Sequence, residues 1–274
     1  MKILVSVDIE GVAGVYHPEQ VRAGNPEYER ARRWMVAEAN AAIAGAFDAG
    51  ATQVYVNDSH GGFRNMPADL LDARAQAIQG KPRYLSMMAG VELGVQGVCC
   101  IGYHSQAQGR GILAHTINSF AFARIALQGQ PLGEMGLYGA LAGTYGVPLI
   151  MASGDQYFIE EHAAMFPGTR FVQTKQATGH NSGISLSPEH ACQAIRQGVS
   201  EAVAALKDTP VTPLQMGGPL TVDITTTSPA MADLFCQWPT LERVTGNAIR
   251  FTAPDVESAV RMINCLSAMS SMLR

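Results

Sequence analysis

Charged residues are scarce in this sequence, and several common signatures of binding function are missing. Only 15% of the 274 residues are charged, the formal net charge is −4, and Lys and Arg form no run. The electrostatic pattern of a protein that binds nucleic acid or an anionic membrane is therefore lacking, and we expect neither partner. There is also no G-x-G-x-x-G after the first predicted strand and no P-loop, which disfavours a dinucleotide or ATP site.

Export and membrane signals are equally sparse. The five cysteines form no C-x-x-C pair, and Asp8 interrupts the short apolar run at the amino terminus, which is too short for a signal peptide. We therefore expect free thiols in a reducing compartment and a cytoplasmic protein. The uncharged stretch 135–154 reaches the ~20 residues of a membrane span. It contains five glycines and Pro148, so we interpret it as a helix followed by a strand.

Strand and helix patterns alternate through most of the chain, which predicts an α/β fold with a mostly parallel sheet and flanking helices. β-Branched and apolar runs predict the strands, and apolar side chains at helical spacing predict the helices. In chain order the prediction is strand 2–9, helix 26–49, strand 53–57, helix 67–77, strand 97–103, helix 137–145, strand 147–152, strand 170–173 and helix 187–207.

Two prolines in segment 208–213 mark the best candidate for a linker. The prediction beyond it is strand 220–226, helix 229–236, a hairpin through Gly246-Asn247 and a closing helix 254–273. We therefore expect residues 1–210 to form an α/β domain and residues 211–274 to form a small α+β domain.

Carboxylates and imidazoles follow three of the predicted strands, at the edge where open parallel sheets bind ligands. The strands end in DIEG (8–11), NDSH (57–60) and GYH (102–104). Such donors suit zinc, and a cation between close carboxylates relieves their repulsion. In a two-metal site Asp8 is the natural shared ligand, and the metals lower the pKa of a bound water. Solvated strand ends remain the alternative, because no spacing here is a diagnostic motif such as H-E-x-x-H.

Three further residues carry weaker signals. His115 lies in an apolar segment and is a core histidine unless it faces the metals, where it would act as a general acid or base. Glu134 stands next to Gly133 in a segment that also resembles an exposed turn, and Asp155 is a fourth acid at a strand end. The pattern assigns no role to the remaining histidines, and it predicts that His162 lies on a helix surface.

Five motifs together resemble a known family. The motifs SVDIEG (6–11), NDSHG (57–61), GYH (102–104), His115 and GEMG (133–136) occur in the order and at the spacing of the zinc-dependent D-aminopeptidases associated with dipeptide transport. The resemblance extends from Met1 to about Ser187. It implies two zinc ions per subunit, with Asp8 as the bridging carboxylate and His115 as the catalytic residue. The remaining implied ligands are Glu10, His60, His104 and Glu134.

The resemblance also implies what the protein acts on and how it assembles. Family members release the N-terminal residue from short D-peptides, and we expect metal-activated water to attack while His115 assists. A self-compartmentalising homo-oligomer is implied, a ring such as a decamer, in which we assign residues 211–274 to subunit contacts. Two alternatives stay open, namely another amidase or an L-selective peptidase on the same metals, and a non-enzymatic α/β module that binds a small ligand.

Two positions depart from the family pattern. Tyr138 stands where the pattern has Asn, and Gln156 stands where it has Asp. Neither position belongs to the implied ligand set. We therefore expect these departures to leave metal binding intact and to affect substrate preference instead.

Overall fold

The structure is a computed structural model that describes residues 1–274. Twelve strands and six α-helices make up the fold. The strands are β1 (Lys2–Val7), β2 (Gln53–Asp58), β3 (Gln76–Ile78), β4 (Gly97–Ile101), β5 (Phe122–Leu127), β6 (Gln130–Pro131), β7 (Leu149–Asp155), β8 (Arg170–Gly179), β9 (Ser182–Ser185), β10 (Leu220–Thr226), β11 (Glu242–Arg243) and β12 (Ala248–Ala253). The α-helices are α1 (Pro26–Asp48), α2 (Glu134–Thr144), α3 (Gln156–His162), α4 (Pro188–Ala205), α5 (Pro229–Phe235) and α6 (Val256–Met269).

The larger sheet confirms the predicted α/β architecture. Its strand order is β3-β2-β1-β4-β7-β8-β9, and all neighbours are parallel except β9, which pairs antiparallel with β8. Alternate residues of β1 enter two cores: Ile3 and Val5 pack with α1 and α4, whereas Leu4 packs in the core that includes the second sheet. Both faces of the parallel sheet are thus covered, as its apolar strands require.

The second sheet is antiparallel, with the order β11-β12-β10-β5-β6. Burial alternates along β10, whose sequence alternation predicted this strand with its observed bounds. β5 and β6 were not predicted from the sequence, and β5 pairs with β10. The second sheet therefore draws strands from both sides of residue 210. The division of the chain into domains at that residue stays a prediction.

The prediction of a helix at 67–77 is wrong. The segment forms a short 3-10 helix, Ala68–Leu70, and then extends into the edge strand β3. Asn40 of α1 supplies the backbone partners that a helix would have provided, since its side chain accepts a bond from the Asp72 amide and donates one to the Leu70 oxygen, both at 2.8 Å. The local sequence does not reveal this long-range contact.

The uncharged stretch 135–154 forms most of α2 and β7, as the sequence predicted. Small residues let α2 pack closely, since a Cβ on Gly143 would lie 1.7 Å from the backbone oxygen of Leu214. A search for a helix with the length and apolar character of a membrane span finds none.

Candidate metal centre

Four of the five predicted ligands follow adjacent parallel strands. Asp8 and Glu10 come directly after β1, while His60 follows β2 and His104 follows β4. Because β1 lies between β2 and β4 in the sheet, its two carboxylates lie between the two histidines. Glu134 is the first residue of α2, where the partial positive charge of a helix N-terminus favours a carboxylate.

Two glycines let the loops after β1 and β4 touch. A Cβ on Gly11 would lie 2.0 Å from the backbone oxygen of Tyr103, and a Cβ on Gly102 would lie 2.3 Å from that of Asp8. No side chain fits at either distance, and Gly102 also has a φ of +70°. The Gly11 amide donates to the Gly102 oxygen at 2.7 Å. This contact places Asp8 and Glu10 beside His104.

Asp8 directs one carboxylate oxygen to each histidine. His60 Nδ1 lies 3.3 Å from Asp8 Oδ1 and 3.0 Å from Glu10 Oε2. His104 Nε2 lies 3.3 Å from Asp8 Oδ2 and 3.4 Å from Glu134 Oε2. We call the first set (Asp8 Oδ1, Glu10, His60) the His60 side and the second (Asp8 Oδ2, His104, Glu134) the His104 side. Each side offers one imidazole nitrogen and two carboxylate oxygens, a donor set that suits zinc.

Backbone carbonyls determine which nitrogen of each histidine faces the cluster. The three contacts join His60 Nε2 to Val21 O (2.8 Å), His104 Nδ1 to Ser105 O (3.0 Å) and His115 Nδ1 to Leu113 O (2.9 Å). A carbonyl only accepts, so the nitrogen that contacts it carries the proton, and the other nitrogen of the neutral ring offers its lone pair to the cluster. Metal-binding histidines are oriented in this way.

Unpartnered buried atoms show that the cluster fits a cation. Glu10 Oε2 and His104 Nε2 are buried without a hydrogen-bond partner. The side chains of Asp8, Glu10 and Glu134 are at most 4% exposed. Three buried carboxylates at this spacing repel one another and lack solvation, and a divalent cation among them offsets both costs. The residues present therefore fit zinc.

The electrostatics of the chain agree with this fit. Burial, together with the charge of Glu10, raises the pKa of Asp8. Burial opposes protonation of His60 and His104, yet the neighbouring carboxylates raise the pKa of both imidazoles well above the ordinary value. Positive charge is thus strongly favoured at the centre of the cluster.

His115 faces the cluster beside the His104 side. Its ring stacks on that of His104, with centroids 4.2 Å apart and planes 10° apart, and its Nε2 lies 3.7 Å from Glu134 Oε1. Its side chain is 20% exposed, against 1% for His104. Donor atoms of His104, His115 and Glu134 all lie within 4.8 Å of one another, so His115 could also contact a metal.

The loop that carries His115 is fixed at two points. Asp155 caps α3 by accepting a bond from the Phe158 amide at 2.9 Å, and its other oxygen accepts one from the Ile112 amide at 2.7 Å. Glu134 Oε1 accepts a bond from the Ile117 amide at 2.6 Å. Asp155, the fourth acid at a strand end, therefore supports the loop and lies outside both ligand sets.

The two residues that depart from the family pattern, Tyr138 and Gln156, both form hydrogen bonds within the protein. Tyr138 is fully buried, and its hydroxyl donates to Ser86 Oγ at 2.9 Å or to Asn264 Oδ1 at 3.2 Å, which joins α2 to α6. The side-chain amide of Gln156 makes two hydrogen bonds with the backbone of Ala177, at 2.8 and 2.7 Å. Their expected effect on substrate preference stays a prediction.

Two buried side chains, His162 and Lys175, were not predicted from the sequence to be buried. His162, predicted on a helix surface, is 1% exposed, and burial lowers its pKa to about 4 while Nδ1 donates to the Phe158 oxygen. Lys175 of β8 is 3% exposed and contacts the loop after β1. A polar residue in a strand is ordinarily solvent-facing, and no motif around Lys175 indicates otherwise.

Comparisons with known proteins agree on one family. A family model described as D-aminopeptidase matches residues 1–265. A D-aminopeptidase of Bacillus subtilis (strain 168) is 35% identical over 191 residues, which are 70% of this chain and 69% of that protein. The solved structure of Zn-dependent D-aminopeptidase DppA from Bacillus subtilis, a self-compartmentalizing protease, matches with a TM-score of 0.94 and 29% identity, over 99% of this chain and 98% of that one.

These matches confirm the resemblance that the five motifs indicated. They cover both sheets as well as the cluster, and they agree with the donor set at the edge of the larger sheet. The chain therefore belongs to the D-aminopeptidase family.

Proposed function

We propose that this protein is an aminopeptidase that binds two zinc ions per chain and releases the N-terminal residue from short peptides of D-amino acids. One observation carries the proposal beyond family membership. Asp8 directs its two oxygens to two separate imidazole–carboxylate pairs, as a carboxylate shared by two metals would. Family membership argues against the non-enzymatic alternative.

The two sides of the cluster divide the ligands. Glu10 and His60 would hold one zinc and His104 and Glu134 the other, with Asp8 shared between them. Zinc bound here would supply an ionised water near neutral pH and polarise the carbonyl of the scissile peptide bond. The carbonyl contacts that orient His60 and His104 keep their lone pairs directed at the cluster.

His115 is the residue that would move a proton. Its Nδ1 is held by the Leu113 oxygen, so Nε2 is the atom free to exchange a proton with the substrate. A protonated Nε2 donates to the leaving amine or stabilises negative charge on the carbonyl oxygen. We assign it as catalytic because it lies outside both imidazole–carboxylate sets, stacked against His104 and more exposed to solvent.

We further propose a cytoplasmic homo-oligomer that forms a ring, with a decamer as the expected size. The support is indirect: the solved relative is described as a self-compartmentalizing protease, this chain has few charged residues, and its five cysteines are free. Light scattering on the purified protein tests the assembly, which a monomer would contradict.

The release of free alanine from D-Ala-D-Ala and from L-Ala-L-Ala, each with zinc and with a chelator, tests the activity. We expect zinc-dependent release from the D-dipeptide alone. No residue of the cluster fixes the chirality of the substrate, so preferred hydrolysis of the L-dipeptide would favour the L-selective alternative. Equal hydrolysis of both dipeptides would refute selectivity for D-peptides. Release from neither dipeptide by zinc-loaded protein would refute the dipeptidase assignment and direct the search to other amides.

A further inference from the structure

A buried ammonium group holds the loop that follows β1, residues 10–15. The Nζ of Lys175 donates to the backbone oxygens of Glu10, Val12 and Val15, the latter two at 3.3 and 2.5 Å. An ammonium group has three protons to donate, so this loop uses all of them. Burial lowers the pKa of this ammonium to about 8, and the nearby acids Asp155, Glu38 and Glu10 oppose that shift.

Three other side chains, on β8, α1 and β9, satisfy further backbone groups of the same loop. The bonds join Thr174 Oγ1 to the Gly11 oxygen (2.8 Å), the Ala13 amide to Glu38 Oε1 (2.8 Å) and the Gly14 amide to Ser185 Oγ (2.7 Å). The loop belongs to no strand or helix. Backbone bonds such as that from the Gly11 amide to the Gly102 oxygen support it in part. The rest of its backbone groups depend on these long-range side-chain contacts, and Lys175 makes the largest number of them.

We propose that Lys175 is a positioning residue for Glu10 and, through it, for zinc on the His60 side. The carbonyl nearest to the ammonium is that of Glu10 itself, whose carboxylate lies 3.0 Å from His60 Nδ1. Lys175 takes no part in the chemistry, because its protons are already bound by the three carbonyls. This inference rests on the proposed two-zinc centre.

Different contacts position the residues of the His104 side, so the loss of Lys175 should affect only the His60 side. His104 is oriented by the neighbouring Ser105 oxygen, and Glu134 is held by the Ile117 amide and by its place in the first turn of α2. None of these contacts involves Lys175. Loss of its ammonium should therefore weaken one zinc site and leave the other unchanged.

Titration of metal-free protein with zinc, in competition with a chelator, tests the inference. Lys175→Met keeps an unbranched, flexible side chain that is one atom shorter and removes its three donors. We expect affinity at one site to fall ~10–100-fold, the usual effect of removing a group that orients a metal ligand, and affinity at the other to stay constant. Lys207→Met is the matched control, since Lys207 also donates to a backbone oxygen, that of Ala49, but is exposed.

The affected site is identified by comparison with Glu10→Gln and Glu134→Gln, which remove one ligand from each side. Lys175→Met should lower the affinity of the site that Glu10→Gln abolishes. Folding of the metal-free variants is checked by circular dichroism, and Lys175→Gln is measured in the same way if the Met variant does not fold. Failure of both to fold would overturn the inference, because Lys175 would then support the whole fold.

Equal weakening of both sites, or unchanged zinc binding by a folded variant, would also overturn the inference. The wild-type titration separates this failure from that of the proposed centre. A wild-type chain that binds fewer than two zinc ions would refute the two-zinc proposal before any variant is compared, and the inference would fall with it.

Discussion

The two sides of the cluster offer the same donors but are built differently. On the His60 side both loops depend on buried polar side chains. Lys175 binds backbone oxygens of the loop that carries Glu10. Asp58 holds the loop that carries His60, because it accepts hydrogen bonds from the backbone amide and the side chain of Asn65 at 2.5 and 2.7 Å. A conformation that rests on such contacts is sensitive to the loss of a single polar group.

The His104 side depends on backbone packing and on a helix. Gly11 and Gly102 bring the loop of His104 against the loop that follows β1, and Glu134 occupies the first turn of α2. The helix is anchored by the buried Tyr138. Close backbone packing and a helix start therefore position most of the His104 side, whereas buried polar side chains from distant segments position the His60 side.

The largest expected effect comes from Asp8→Asn, which acts on both sides at once. The amide oxygen can still accept the bond from the Ile9 amide, but the shared negative charge is gone. We expect loss of both zinc ions and a fall in kcat/KM of at least ~10⁴-fold, because each metal contributes several kcal/mol to transition-state stabilisation. Metal analysis and dipeptide hydrolysis are the measurements, with the exposed Asp233→Asn as control. Retention of both zinc ions would show that Asp8 is not the shared ligand.

Glu10→Gln and Glu134→Gln separate the two sides. Each change preserves the shape of one ligand and removes its charge, so we expect each variant to bind one zinc and to lose ~10³-fold in kcat/KM. In the Glu134→Gln variant the side-chain oxygen can still accept the bond from the Ile117 amide, which limits the effect to the metal. The zinc content of both variants checks the expectation. If either variant kept both zinc ions, the division of ligands between the sides would be wrong.

His115→Ala tests whether His115 transfers a proton or binds zinc on the His104 side. We expect kcat/KM to fall ~100-fold through loss of proton transfer, with zinc content unchanged. His190→Ala, an exposed change on α4, is the matched control. Metal analysis of the variant decides between the two roles of His115, because loss of one zinc would make it a ligand.

A further expected effect is on stability alone and concerns Glu38, a buried acid that binds the loop of the His60 side. Burial raises the pKa of Glu38 from 4.5 to about 7, although its bond from the Ala13 amide and the charge of Lys175 lower it. Lys175 on β8 and Cys192 on α4 are the titratable groups that face Glu38. A carboxyl whose pKa is raised in the fold contributes stability below pH 4.5, and this contribution is lost as the pH rises through 7.

Glu38→Gln should remove this pH dependence. We expect the free energy of unfolding of metal-free wild-type protein to fall by about 3 kcal/mol more than that of the variant between pH 4.5 and pH 8. Urea unfolding in the presence of a chelator measures the difference. The same pH dependence in both proteins would show that Glu38 is ionised in the fold.

Much of this architecture follows from local sequence. The long helices α1 and α4 begin within one residue of their predicted starts. Helical spacing predicted the first, and Ser187 with the proline that follows it predicted the second. The convergence of ligand residues at the sheet edge was equally predictable. Neighbouring parallel strands bring the residues after β1, β2 and β4 together whatever conformation the loops adopt.

The remainder depends on contacts between distant segments. Glu134 enters the cluster because α2 begins beside it, and only the family resemblance identified it as a ligand. The ammonium of Lys175 is separated by 165 residues from the carbonyl of Glu10 that it binds. The side chain of Asn40 on α1 binds backbone groups of Leu70 and Asp72, in the segment where a helix was predicted. Contacts of this kind leave no periodicity or spacing in a single sequence.

Anomalous diffraction at the zinc edge, from crystals of the zinc-loaded protein, tests the shared role of Asp8 most directly. We predict two peaks per chain, each ~2.0–2.2 Å from a different oxygen of Asp8, one beside His60 and the other beside His104. A single peak, or a second peak that Asp8 does not contact, would contradict the two-sided centre.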